Sequence, residues 1–218
     1  MEVTFTKLTG RRYWMSVVRE RGPALAPRQA PGYDEYLPHE AVHLLVELEA
    51  GLAGGVFGRL AAGHSNIFWA ADPAVRRRQR RREQKRRTTE QERAEMARSE
   101  LLASACPPLW ELRTGRRTEP PDWFARLEPD VGGSPLMERI IDRLDAFAAC
   151  WHELPLGDSI TVEWSPETTG SRGHSAHRRV ASRRRSGRMP ARRPPSWLPQ
   201  GAEAQVRAVP ARAILSSQ

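Results

Sequence analysis

An α+β fold is predicted by alternating apolar runs at both ends of the first 165 residues and by helical-period apolar stripes between them. Val3 and Phe5 alternate with Glu2, Thr4 and Thr6, and a second alternating run covers Tyr13 to Val18 after the turn Thr9-Gly10-Arg11. This spacing predicts an N-terminal β-hairpin. Near the other end, Ile160, Val162 and Trp164 alternate with Thr161 and Glu163, so a last strand is expected to pair with the hairpin. The expected result is a small antiparallel sheet, built from both chain ends and covered by helices.

The helices follow from apolar spacing and from their stop signals. Leu37, Ala41, Leu44, Leu45 and Leu48 form one stripe, with the start near Leu37 or Pro38 and Gly51 as terminator. Gly54 to Gly63 can hold a short helix, whereas Ile67-Phe68-Trp69 is an apolar patch of open type. Asp72-Pro73 reads as a cap and first turn leading into the run from Arg76 to Arg87. Thr89 with Glu92 fits a capping box, and that helix is expected to stop at Pro107-Pro108. The clearest helix runs from Pro135 to Leu154, capped by Ser134, with Met137, Ile140, Ile141, Leu144, Ala148 and Trp151 at helical spacing.

Composition divides the chain in two. The formal charge of +9 comes from the stretch after Ser165, where 11 arginines face only Glu167 and Glu203, leaving 24 basic and 24 acidic groups in residues 1–165. The folded part is thus neutral, and global charge is no argument for an acidic partner. Residues 166–218 carry little periodic apolar content, too little buried surface to offset chain entropy, and a disordered Arg/Pro/Ser-rich tail is expected there. No stretch approaches the roughly 20 apolar residues of a membrane span, and no signal-peptide core is present, so a cytoplasmic protein without membrane contact is expected. Cys106 and Cys150 make neither a disulfide framework nor a Cys-x-x-Cys pair.

One motif has chemistry that depends on spacing. His39 and His43 stand four apart on the first helix, so two imidazoles can meet one metal ion, while Glu40 could act as general base on an activated water. In a chain of this composition about 0.014 occurrences of the pattern are expected by chance. On a helical wheel both histidines lie about 160–200° from the centre of the apolar stripe, which predicts that they face away from the core. Pro38 places the motif in the first turn. Glu47 shares the histidine face but sits about 12 Å along the helix from His39, too far to join it on one ion. His64 is the best third ligand, with His152 or Glu153 behind it. The segment His39 to His43 resembles the His-Glu-x-x-His motif of the zincin metallopeptidases, which implies zinc as cofactor and a zinc-dependent hydrolase. The longer stretch Leu37 to Glu47, continued by Glu49 to Leu52 and Val56 to Gly63, resembles a family of small uncharacterised bacterial proteins. Members of that family commonly carry aspartate at the position of Glu40, and the resemblance implies a domain ending near Trp164 with no known activity.

The alternative is a binding module, for nucleic acid or for a protein partner. Between residues 76 and 87 the chain holds nine basic groups against Glu83, among them Arg76, Arg77, Arg78, Arg80, Arg81 and Arg82. The run resembles arginine-rich peptides that bind RNA through phosphate contacts. The blander reading, and the one the balance of charge favours, is a solvated helix face or loop balanced by Glu90, Glu92, Glu95 and Glu100.

Overall fold

The computed structural model describes residues 1–30, 35–64, 67–124 and 134–165, together with the backbone of 206–208. The hairpin forms as expected: β1 (Glu2–Lys7) pairs antiparallel with β2 (Tyr13–Val18), Phe5 opposite Met15. A short strand, β3 (Arg28–Ala30), adds to β2, and β4 (Ser159–Glu163) pairs antiparallel with β1, Phe5 opposite Ile160. The antiparallel order is β3-β2-β1-β4. Of the tail expected to be disordered, only β5 (Val206–Ala208) is described, parallel to β4; the rest lies outside the described residues.

One face of the sheet is apolar, because side chains alternate across a strand. Val3, Phe5, Tyr13, Met15, Val17, Ile160 and Val162 are all buried on it. The opposite face is held by polar rungs, with Thr4 hydrogen-bonded to Thr161 and Thr6 to Ser159, each at 2.8 Å. The ends of the domain meet at the sheet: the Trp164 amide donates to the Met1 carbonyl at 2.7 Å.

Five helices complete the described fold: α1 (His39–Ala50), α2 (Val56–Ala61), α3 (Pro73–Lys85), α4 (Glu90–Arg113) and α5 (Pro135–Glu153). Helix α5 covers the sheet, with Phe147 edge-on to Phe5 at 5.9 Å and Trp151 edge-on to Tyr13 at 6.2 Å. Its whole predicted stripe is buried, and the Ser134 hydroxyl accepts from the Met137 amide at 3.2 Å as the expected cap. Helices α1, α4 and α5 pack on one another. Among the described residues no helix is long and apolar enough to cross a membrane.

The expected stop at Pro107-Pro108 does not occur, and α4 continues to Arg113. Each proline removes an amide donor and crowds the carbonyl four residues back, at a cost of about 3 kcal/mol or more in a helix interior. What lies beyond offsets it. Leu109 and Trp110 are buried, contributing about 1.5–3 kcal/mol each. The Trp110 indole donates to Asp145 at 2.9 Å, and Arg113 reaches Asp142 at 2.6 Å. Tertiary contacts from α5 therefore carry the helix through a local stop signal.

The two thiols differ. Cys106 is buried beside Met137, and burial pushes its thiol up to about 12, whereas Cys150 is exposed. A maleimide at about pH 8 is expected to label one thiol per native chain and two in denaturant, because the thiolate is the reacting form. Mass spectrometry of native samples showing two labels would contradict the packing around Cys106.

Candidate metal centre

Helix α1 begins at His39 because Pro38 holds extended backbone (φ −59°, ψ 130°) and its carbonyl accepts from the Ala41 amide at 2.9 Å. It ends where Gly51 takes a left-handed conformation (φ 65°). Between them every residue from Ala41 to Leu48 is buried. This corrects the expected position of the histidines: His39 is exposed, but His43 is only 5% exposed. Helix α1 has more than one buried face, because α4 covers the side that carries His43 and Glu47.

Contacts from α4 define the imidazole of His43. The Ser99 hydroxyl donates to Glu47 Oε1 at 2.8 Å, and its oxygen lies 3.2 Å from His43 Nδ1. A hydroxyl has one proton, and Ser99 gives it to the carboxylate, so Nδ1 of His43 must carry the proton that Ser99 Oγ accepts. His43 Nε2 then holds a lone pair. It faces Glu100 Oε2 at 3.8 Å, too long for a hydrogen bond. Two ligand atoms on one tetrahedral zinc stand about 3.4 Å apart for bonds near 2.1 Å, and the rings of two ligating histidines have centroids about 5 Å apart. The rings of His39 and His43 have centroids 4.7 Å apart, inclined at 62°. Burial pushes the His43 pKa down, as does neighbouring His39, while Glu100 pulls it up. The net lowering favours the neutral imidazole, the form that binds a metal.

Glu47, fully buried, is the anchor of this arrangement. Its Oε1 accepts from the Val56 amide at 2.7 Å and from Ser99, and its Oε2 accepts from the amides of Phe57 at 2.7 Å and Gly58 at 3.3 Å. It thereby fixes the N-terminus of α2, whose first amides have no partner within the helix. Burial pushes its carboxyl above the ordinary value, and the bonds from Ser99, Phe57, Val56 and Gly58 pull it back. The approach requires glycine at 55, where a Cβ would stand 2.3 Å from the Glu47 carboxyl carbon.

The other expected site residues are placed apart. Glu40 turns toward the sheet, where the Tyr13 hydroxyl donates to Oε2 and Arg28 Nη2 lies 3.9 Å from Oε1. Burial raises its carboxyl pKa. His64 does not join His39 and His43 in any described contact; its Nδ1 lies 3.9 Å from Glu83 Oε1, and it lines a cavity of about 460 Å³ with Arg78, Arg82 and Arg86. His152 stacks on Tyr36 at the far end of α5, centroids 4.7 Å apart, and Glu153 ends that helix. Among the described residues no three His, Cys, Asp or Glu side chains are already gathered as a metal-binding group. Arg76, Arg77, Arg78, Arg80, Arg81 and Arg82 all lie on α3, none of whose residues is buried.

Ser99 and Glu100 were missed in the sequence, since nothing local in α4 points to α1. Glu47 was visible on the histidine face, but its use as a cap for α2 was not. No protein-family model, curated protein or solved structure matches this chain.

Proposed function

We propose that the chain binds zinc at the start of α1 through His39, His43 and Glu100, and that the site serves hydrolysis. The observation that carries this reading is His43, whose Nε2 lies 3.8 Å from the Glu100 carboxylate with the His39 imidazole beside it. Two histidines and one glutamate are a donor set that suits a catalytic zinc and leaves a fourth position for water or substrate. A zinc ion there would supply a water made acidic and a polarised carbonyl or phosphoryl group. The protein's part is orientation. Ser99 and Glu47 hold the His43 ring and its tautomer from behind, as outer partners do for metal-binding histidines. Glu40, whose carboxyl pKa burial raises, would act as the base only by leaving the Tyr13 hydroxyl and turning toward the ion. Glu100 takes the place expected for His64, because it faces His43 directly.

Elemental analysis of the full chain, made without a histidine tag and equilibrated with zinc, is expected to give close to one zinc per chain. His39→Ala, His43→Ala and Glu100→Ala should each lose it, while His64→Ala should keep it. Ser99→Ala should weaken zinc binding about 10–100-fold. Glu40→Ala should retain zinc but lose turnover of chromogenic ester, amide or phosphoester probes. A parent protein that stays metal-free at neutral pH overturns the reading. Zinc with no turnover on any probe leaves binding and removes hydrolysis.

A further inference from the structure

The zinc reading leaves α3 unused, and this helix is hard to explain by its own chain. It holds Arg76, Arg77, Arg78, Arg80, Arg81, Arg82 and Lys85 against Glu83 in 13 residues. Arg76 and Arg80, Arg77 and Arg81, and Arg78 and Arg82 stand four apart, a spacing at which like charges destabilise a helix. No side chain of α3 is fully buried, so packing compensates little.

Contacts at its start fix where α3 points. Asp72 caps it by accepting from the Ala74 and Val75 amides at 2.7 and 3.0 Å. Gln79 accepts from the Ala70 amide at 2.9 Å, and the Arg80 guanidinium lies 5.3 Å from the centroid of the Trp69 ring. On another side Arg78, Arg82 and Arg86, on successive turns, line the 460 Å³ groove with His64. The charge density is that of a nucleic-acid strand. Thirteen residues span about 20 Å, so the net six positive charges recur roughly every 3.3 Å, against about 3.4 Å per phosphate along one strand of duplex DNA. The major groove of B-form DNA, about 12 Å wide, admits a helix, whereas the deep and narrow major groove of A-form RNA does not.

We propose that α3 is a docking helix for duplex DNA, binding the phosphate backbone through Arg76, Arg77, Arg78, Arg80, Arg81 and Arg82. Binding is independent of base sequence, since the contacts are to phosphates and Gln79 is engaged with Ala70.

The test is fluorescence anisotropy of the full chain with a labelled mixed-sequence duplex of about 20 base pairs, between about 50 and 200 mM salt. Arg77→Gln, Arg78→Gln, Arg81→Gln and Arg82→Gln together should reduce the magnitude of the log K against log salt slope by about 3 to 4, and affinity at the lowest salt at least tenfold. The same four positions changed to lysine should keep the parent slope to within about 1. A milder pair, Arg77→Gln with Arg81→Gln, should reduce it by about 2, and circular dichroism should show each variant melting no lower than the parent. The tail is the competing source of charge, so Arg178→Gln, Arg183→Gln, Arg184→Gln and Arg185→Gln together serve as comparison and should leave the slope within about 1 of the parent. The proposal is overturned if the parent does not bind at the lowest salt, if the tail changes rather than those in α3 remove the slope, or if an RNA of equal length binds more tightly than the DNA.

Discussion

Replacing Glu47 with glutamine is expected to lower the stability of the domain by about 3–5 kcal/mol, nearly as much as replacing it with alanine. Both carboxylate oxygens accept, Oε1 from Val56 and Ser99 and Oε2 from Phe57 and Gly58. An amide has only one acceptor oxygen, and its NH₂ would turn two donors against the donors already there. Buried amides left without an acceptor cost about 1–3 kcal/mol each. Urea denaturation followed by circular dichroism measures the loss, and a glutamine variant within about 1 kcal/mol of the parent would show that the carboxylate is not what holds α2. Gly55 provides a second check. Its backbone (φ −69°, ψ −173°) is open to any residue, so Gly55→Ala is costly only through the contact with Glu47. Combined with Glu47→Ala, that cost should largely vanish, giving strongly non-additive changes.

Gly58→Ala is expected to destabilise by about 3 kcal/mol, at the upper end of the range for overpacking a core. A Cβ at this position would stand 2.4 Å from the Leu52 carbonyl oxygen and 2.5 Å from that of Ala53. Both obstacles are backbone, so no rotamer change relieves them; α2 must move off the turn that follows α1. Moving it also withdraws amides from Glu47. The variant should therefore show a lower urea midpoint, and amide exchange at Val56 and Phe57 should accelerate more than exchange in the β1–β2 hairpin. Equal acceleration in both would mean that α2 and the sheet respond as one unit, against a local effect at Glu47.

The sheet and the long helices were legible in the sequence because each has one buried face and a repeat that shows it. The alternation in β1, β2 and β4 and the stripe of α5 are of this kind. Helix α1 misled because it is covered on nearly every side, so its polar face is also interior. There Glu47 and His43 are partnered by groups that come from elsewhere in the chain. Ser99 and Glu100 lie more than 50 positions from the motif, on a helix whose own pattern shows only its packing. Local rules failed similarly at Pro107 and Pro108, where Trp110 and Asp145 outweigh them. The candidate site was thus half visible: two histidines by spacing, the residues that orient and complete it only through tertiary structure.

The strand order β3-β2-β1-β4 has a consequence for a chain emerging from the ribosome. Strand β1, made well before β4, sits inside the sheet, and the neighbour on its second side is complete only when Glu163 has been synthesised. At about 5–20 residues per second, the hairpin waits roughly 7 to 30 seconds with one hydrogen-bonding edge of β1 open. During that wait the edge is a template for any extended segment, including the same hairpin on a neighbouring chain. The polar rungs Thr4 and Thr6 that later bond to Thr161 and Ser159 make the waiting hairpin's outer face less apolar, which limits such pairing until its own last strand arrives.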